Sequence, residues 1–236
     1  MSATVEDLSR FPAALPLPLR QPPPLENGDT LTRVEFERRY AAMPGVKKAE
    51  LIEGVVHMPS PVRLPHHAAP HADLMAWLGW YRASTPGVRV GDNATIRLDL
   101  DCEPQPDALM FHTPEAGGAV RISEDGYIEG APELVAEVAA SSVSLDLHDK
   151  LRVYRRNGVH EYLVWRVEDQ ALDWFVLQAG DYQRLLPDAA GVLRSQVFPG
   201  LWLDAGALLR GDLAAVLQVL QHGLASRIGE RKAPGP

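Results

Sequence analysis

Leu134-Val135-Ala136-Glu137-Val138-Ala139 is apolar at every position but one. Successive side chains of a strand point to opposite faces. A strand apolar on both faces must be covered on both, so this run predicts a central strand with helices packed on either side. Its one acid is costly to bury while ionised unless something pairs with it. Glu137 is therefore both a fold marker and a chemical anomaly.

The flanking sequence supplies the rest of an α/β architecture. Thr30 can cap a helix running to about Ala42, where Pro44-Gly45 ends it. Glu50 to Met58 reads as two short strands about a turn, and Pro59, Pro61 and Pro65 as a loop. From His67 or His71 the helical spacing of Leu74, Trp77, Leu78 and Tyr81 carries a helix to about Ser84. Val88 to Leu100 then alternates, with Ala94, Ile96, Leu98 and Leu100 on one face. Pro106 opens a strand through Phe111, at the position where its missing N–H does least harm. Ser144 and Asp146 start a helix ending at Gly158. Strands at 162–165, 171–177, 181–186 and 192–197 precede a helix from Ala205 to His222.

The chain has 236 residues, 46% of them hydrophobic, enough for one sizeable core. At about 150 residues per domain we expect one domain over 28–225. It lies between a proline-rich arm at 1–27, with Leu15-Pro16-Leu17-Pro18 and Pro22-Pro23-Pro24, and a tail at 226–236. No apolar run of about 18 residues is present, and Glu6 and Asp7 break the layout of a signal peptide, so no membrane association and a cytoplasmic location are expected. The lone Cys102 excludes an internal disulfide or an all-thiolate metal site. No phosphate-cradling glycine loop or nucleophile elbow around Ser141-Ser142 occurs. The net charge of −8 argues against tight nonspecific binding to nucleic acid.

Asp107 lies at a strand opening and Lys150 on the helix that follows the Glu137 strand. Two carboxylates on neighbouring strands, with the carbonyl after Glu137, form a hard oxygen set suited to Mg²⁺ or Mn²⁺. A lysine can then orient water or neutralise developing charge. Each residue also has a plain structural reading. Asp107 can cap a turn, and Lys150 can form a solvated pair with Asp146 four residues earlier. His67 and His71 could share a helix face as metal ligands, although Pro70 weakens that geometry. Trp77, Trp80 and Tyr81 can stack bases or be core.

Taken in order, several pieces resemble the restriction-endonuclease-like Uma-two family of the PD-(D/E)XK nuclease superfamily. They are Glu50-Leu51-Ile52-Glu53-Gly54, His67, Pro106-Asp107, Pro132-Glu133-Leu134-Val135-Ala136-Glu137-Val138 and Asp146-x-x-x-Lys150-x-x-x-Tyr154-x-x-x-Gly158-Val159-x-Glu161-Tyr162. The resemblance implies a restriction-endonuclease-like mixed β-sheet core flanked by helices. It implies Asp107 and Glu137 as metal ligands, Lys150 as the catalytic cation on the helix, and Glu50 and His67 as auxiliaries. Glu53 is expected in solvent and Tyr154 in a supporting role. Ala139-Ala140-Ser141-Ser142 departs from the family's Ser-Pro-Ser run, and Arg166 stands where the family has an acid.

The expected function is Mg²⁺- or Mn²⁺-dependent hydrolysis of DNA phosphodiesters. The alternatives are a catalytically silent interaction or homodimer module with the same fold, and hydrolysis of another phosphate ester. A basic rim from Arg152, Arg155, Arg156 and Arg63 would favour nucleic acid.

Overall fold

The computed structural model describes residues 22–58 and 63–230. Residues 1–21, most of the proline-rich arm, and 231–236, most of the tail, lie outside the described residues, as do Pro59 and Pro61. Leu25, inside the segment read as an arm, is buried against the cluster of Phe36, Leu51 and Val56.

The elements in chain order are α1 (Arg33–Ala41), β1 (Glu50–Ile52), β2 (Val55–His57), α2 (Ala69–Ala83), β3 (Val88–Asp92), β4 (Ile96–Arg97), β5 (Ala108–His112), β6 (Arg121–Ile122) and β7 (Ile128–Glu129). There follow β8 (Leu134–Ala139), α3 (Leu151–Arg156), β9 (Glu161–Arg166), β10 (Ala171–Gln178), β11 (Asp181–Arg184), β12 (Val192–Arg194), β13 (Trp202–Asp204), α4 (Ala205–Leu209) and α5 (Leu213–Glu230). The main sheet has the order β11-β10-β9-β8-β5-β3. Only β8 and β9 are parallel in it; every other pair is antiparallel.

β8 is buried along its whole length, as its two-sided apolar run requires. Leu134, Ala136 and Val138 face a core shared with α2 and α5, while Val135 and Ala139 face Tyr154, Val159 and Tyr162 on the other side. Alternation puts Glu137 on that second face, under α3. Trp77 meets Trp174 edge-on at 5.8 Å between centroids, and Tyr81 is buried, so these aromatics are core; Trp80 alone of the three is exposed.

Several local expectations are corrected. Thr32, not Thr30, caps α1: Thr32-Arg33-Val34-Glu35 is a capping sequence whose hydroxyl accepts from the Glu35 amide. Thr30 instead bridges to Val55. The alternation through Leu100 breaks at Asn93, which has φ +49, and Leu100 is exposed. The helix expected from Ser144 begins as a wide π-type turn over Leu145–Lys150 before tightening into α3. The final helix is two: Asp204 caps α4 and Asp212 caps α5, with Gly211 at the break.

Candidate functional site

β5 and β8 bring Asp107 and Glu137 together, because Ala108 pairs with Ala136. Asp107 Oδ2 accepts from the Val138 amide at 2.8 Å, and the Asp107 amide approaches Glu137 Oε2 at 3.4 Å. From α3's side, Lys150 Nζ and the Tyr154 hydroxyl donate to Glu137 Oε1 at 2.9 and 3.1 Å. β1 adds Glu50, whose Oε1 lies 2.9 Å from Lys150 Nζ and accepts from the Gln105 amide. The wide turn swings Asp146 inward, 3.7 Å from Lys150 Nζ, with Ser142 donating to its second oxygen at 2.6 Å. The group forms the floor of a cleft of 1210 Å³.

The charges of this floor do not balance. Glu50, Asp107, Glu137 and Asp146 are all buried, yet Lys150 is the one buried cation among the described residues. Burial pushes the Glu137 carboxyl up to about 8; Lys150 opposes this, while Asp146, Asp107 and Glu50 reinforce it. Asp146 is raised chiefly by burial. Burial would lower Lys150, but Glu137, Glu50 and Asp146 carry its ammonium well above the usual value. Burial likewise opposes ionisation of Asp107, but the hydrogen bond from His67 and the charge of Lys48 hold its carboxyl well below the normal range. Asp146 Oδ1 has no hydrogen-bond partner. Hard oxygen donors, an excess of negative charge and an orphaned carboxylate oxygen fit a divalent cation of the Mg²⁺ or Mn²⁺ type.

The five residues singled out from sequence meet here. Asp107, Glu137, Lys150 and Glu50 form the floor, and His67 Nε2 reaches Asp107 Oδ2 at 3.1 Å. His71 stands beside it with its ring centroid 5.8 Å away, but its Nε2 goes to the Asp107 carbonyl and to Asp92. Both imidazoles thus hold the Asp107 segment. The Asp146–Lys150 pair is buried and not solvated. Tyr154 supports Glu137, and Glu53 points away from the cleft to Arg152 and Arg156.

Of the arginines whose basic rim would favour nucleic acid, three are paired with acids. Arg152 pairs with Glu53 and Asp149, Arg155 with Asp181, and Arg156 with Glu53, Asp99 and Asp101. Of the four, Arg63 alone lines the cleft, joined by Lys47, Lys48 and His66. Lys48 was missed; it sits in irregular chain ahead of β1, where no periodicity marks it, although it lies two residues before Glu50. Among the described residues, Asp99, Asp101 and Cys102 also cluster closely enough for a metal. The Arg156 guanidinium already fills that place, 2.8 Å from Asp101 and 3.0 Å from the Cys102 sulfur.

No helix of the described residues is long and apolar enough to cross a membrane. The model of the family described as "Putative restriction endonuclease" (Uma2) matches residues 34–206. A solved protein of Anabaena variabilis ATCC 29413, described as "a putative nuclease belonging to DUF820", superposes with a TM-score of 0.55 over 72% of this chain and 97% of that one. The two are 17% identical, so the likeness is one of fold. No curated protein matches the sequence. With the restriction-endonuclease-like sheet in place and the match covering most of the folded residues, the chain belongs to the Uma2 family.

Proposed function

We propose that this chain is a metal-dependent endonuclease that hydrolyses phosphodiester bonds of DNA with water as the nucleophile. The observation that carries the reading is the pair Asp107 and Glu137, set on adjacent strands at the floor of an open cleft and backed by a buried lysine. Asp107 and Glu137 would hold Mg²⁺ or Mn²⁺, with the Val138 carbonyl beside them. The bound ion would acidify a water and offset charge on the phosphoryl oxygen.

The remaining residues prepare that centre. His67 and the Val138 amide fix Asp107 in its ionised form and orientation. Lys150 and Tyr154 hold one oxygen of Glu137, leaving the other turned to Asp107. Glu50 completes the pairing of Lys150. Fixing these groups before substrate arrives removes the reorganisation that water would otherwise impose. The reading takes the cytoplasm as the location and DNA as the substrate.

The test is incubation of supercoiled plasmid with Mg²⁺ or Mn²⁺. Wild type should nick or linearise it. EDTA, Asp107→Asn and Glu137→Gln should each abolish cleavage. A folded, metal-loaded wild type that leaves the plasmid intact would pass the fold to the interaction or homodimer role.

A further inference from the structure

Lys150 is poorly placed to touch a substrate. Its Nζ lies 2.9 Å from Glu50, 2.9 Å from Glu137 and 3.7 Å from Asp146, and only 3% of the residue is exposed. An ammonium has three donor protons; Glu50 and Glu137 lie within hydrogen-bond distance of this one, and Asp146 Oδ1 lies at ion-pair distance beyond them. Phosphodiester hydrolysis nevertheless builds negative charge on non-bridging oxygens, and a cation beside them is a large part of catalysis.

A second lysine is better exposed. Lys48 lines the same cleft beside Asp107, with 23% of its side chain accessible. Its Nζ has two partners among the described residues: the neutral amide oxygen of Asn93 at 3.2 Å and Asp107 Oδ1 at 3.3 Å. Both contacts are long for a charged donor. One ammonium proton therefore has no protein acceptor within the described residues. Lys47 and Arg63 line the same cleft, which also carries Glu50, Asp107, Glu137, Asp146 and Glu168, the last paired with His66; a polyanion therefore needs these cations and an offset of the acidic floor to enter.

We infer that Lys48, and not Lys150, is the cation that contacts the phosphoryl oxygen of the nucleic-acid substrate. Lys150 holds Glu137, Glu50 and Asp146 from behind. When the charge of Asp107 is taken up elsewhere, Lys48 can exchange its long contact with Oδ1 for a phosphate oxygen in the cleft it lines. A compact ammonium suits a single phosphate contact of this kind. The inference rests on the nuclease reading for its catalytic half only; the phosphate contact stands apart from cleavage.

The experiment uses the full chain with Lys48→Gln, Lys48→Ala and Lys48→Arg beside wild type. Thermal melts first establish folding, which a partly exposed side chain should leave unchanged. Two readouts follow: single-turnover plasmid cleavage with Mn²⁺, and binding of a short labelled DNA duplex across a salt series with Ca²⁺ present, so that the charge of Asp107 is offset. Gln and Ala should lower the cleavage rate by about 10²–10³-fold, the range for losing one donor to developing charge. They should also lower the slope of log affinity against log salt by about 1, the loss of one phosphate contact. Arg should recover part of both. If wild type cleaves and the Gln variant cleaves equally fast, the inference is overturned, as it is by an unchanged salt slope. If wild type binds DNA without cleaving it, the nuclease reading fails and the slope alone decides the phosphate contact. A wild type that does not bind DNA at all overturns both.

Discussion

Replacing Lys150 by methionine keeps the length of the side chain and removes its charge. Glu50, Glu137 and Asp146 would then remain buried around an apolar tip. Removing one partner from a buried ion pair costs about 3–5 kcal/mol, because the partner left behind has lost both water and counter-charge. In a domain of this size each kcal/mol moves the midpoint by about 2–4 °C, so the melting point should fall by about 6–20 °C at neutral pH in EDTA. The loss must also depend on pH. Burial already lifts Glu137 to about 8, and without Lys150 its folded-state value rises further. The unfolded value is near 4.3, so across the window from about 4.3 to 8 the folded state holds the extra proton. Stability is therefore lost as pH rises through that window and regained as it falls. Wild type shares that window, so urea unfolding followed by circular dichroism should show a Lys150→Met penalty that is roughly constant below about pH 8 and grows above it, where wild type ionises Glu137 beside Lys150 and the variant does not. Adding Glu137→Gln should recover part of it at neutral pH. A penalty below about 1 kcal/mol, or one that does not grow above about pH 8, would refute the buried-cluster account.

Two further outcomes concern the scaffold. Cys102 is fully buried and burial pushes its thiol up to about 12, so it should resist a thiol reagent in the native protein and react at the global unfolding rate. Gly223 lies where α5 meets the chain before β13, and a Cβ there would fall 2.4 Å from the Gly200 carbonyl oxygen and 2.7 Å from the Trp202 ring. Gly223→Ala should therefore destabilise by about 1 kcal/mol net in urea melts, since an overpacking loss of about 1–3 exceeds the helix-propensity gain of about 1; a more stable variant would show that α5 can shift.

What the sequence made legible was what short-range rules govern. The two-sided apolar run around Glu137 became the central strand at its expected bounds, because a strand apolar on both faces is stable only when both are covered. The Glu53-Gly54 turn, with positive φ at both positions, follows from the same local chemistry. The ordered motif residues Asp107, Glu137, Lys150, Glu50 and His67 meet in one place. The rest depended on contacts remote in sequence. An i,i+4 spacing cannot tell a solvated Asp146–Lys150 pair from a buried one; the wide turn that carries Asp146 inward decides it. Arg152, Arg155 and Arg156 looked available until Glu53, Asp99, Asp101 and Asp181 were brought against them. Lys48 carries no periodic mark, and its place beside Asp107 arises from residues 59 positions apart.

Calorimetric titration of Mn²⁺ into wild type and Glu137→Gln tests the central claim most directly. The account predicts saturable binding by wild type, with protons released as Glu137 ionises, and loss of binding in the folded Glu137→Gln variant. Equal binding by the two proteins, or no binding by a folded wild type, would contradict it.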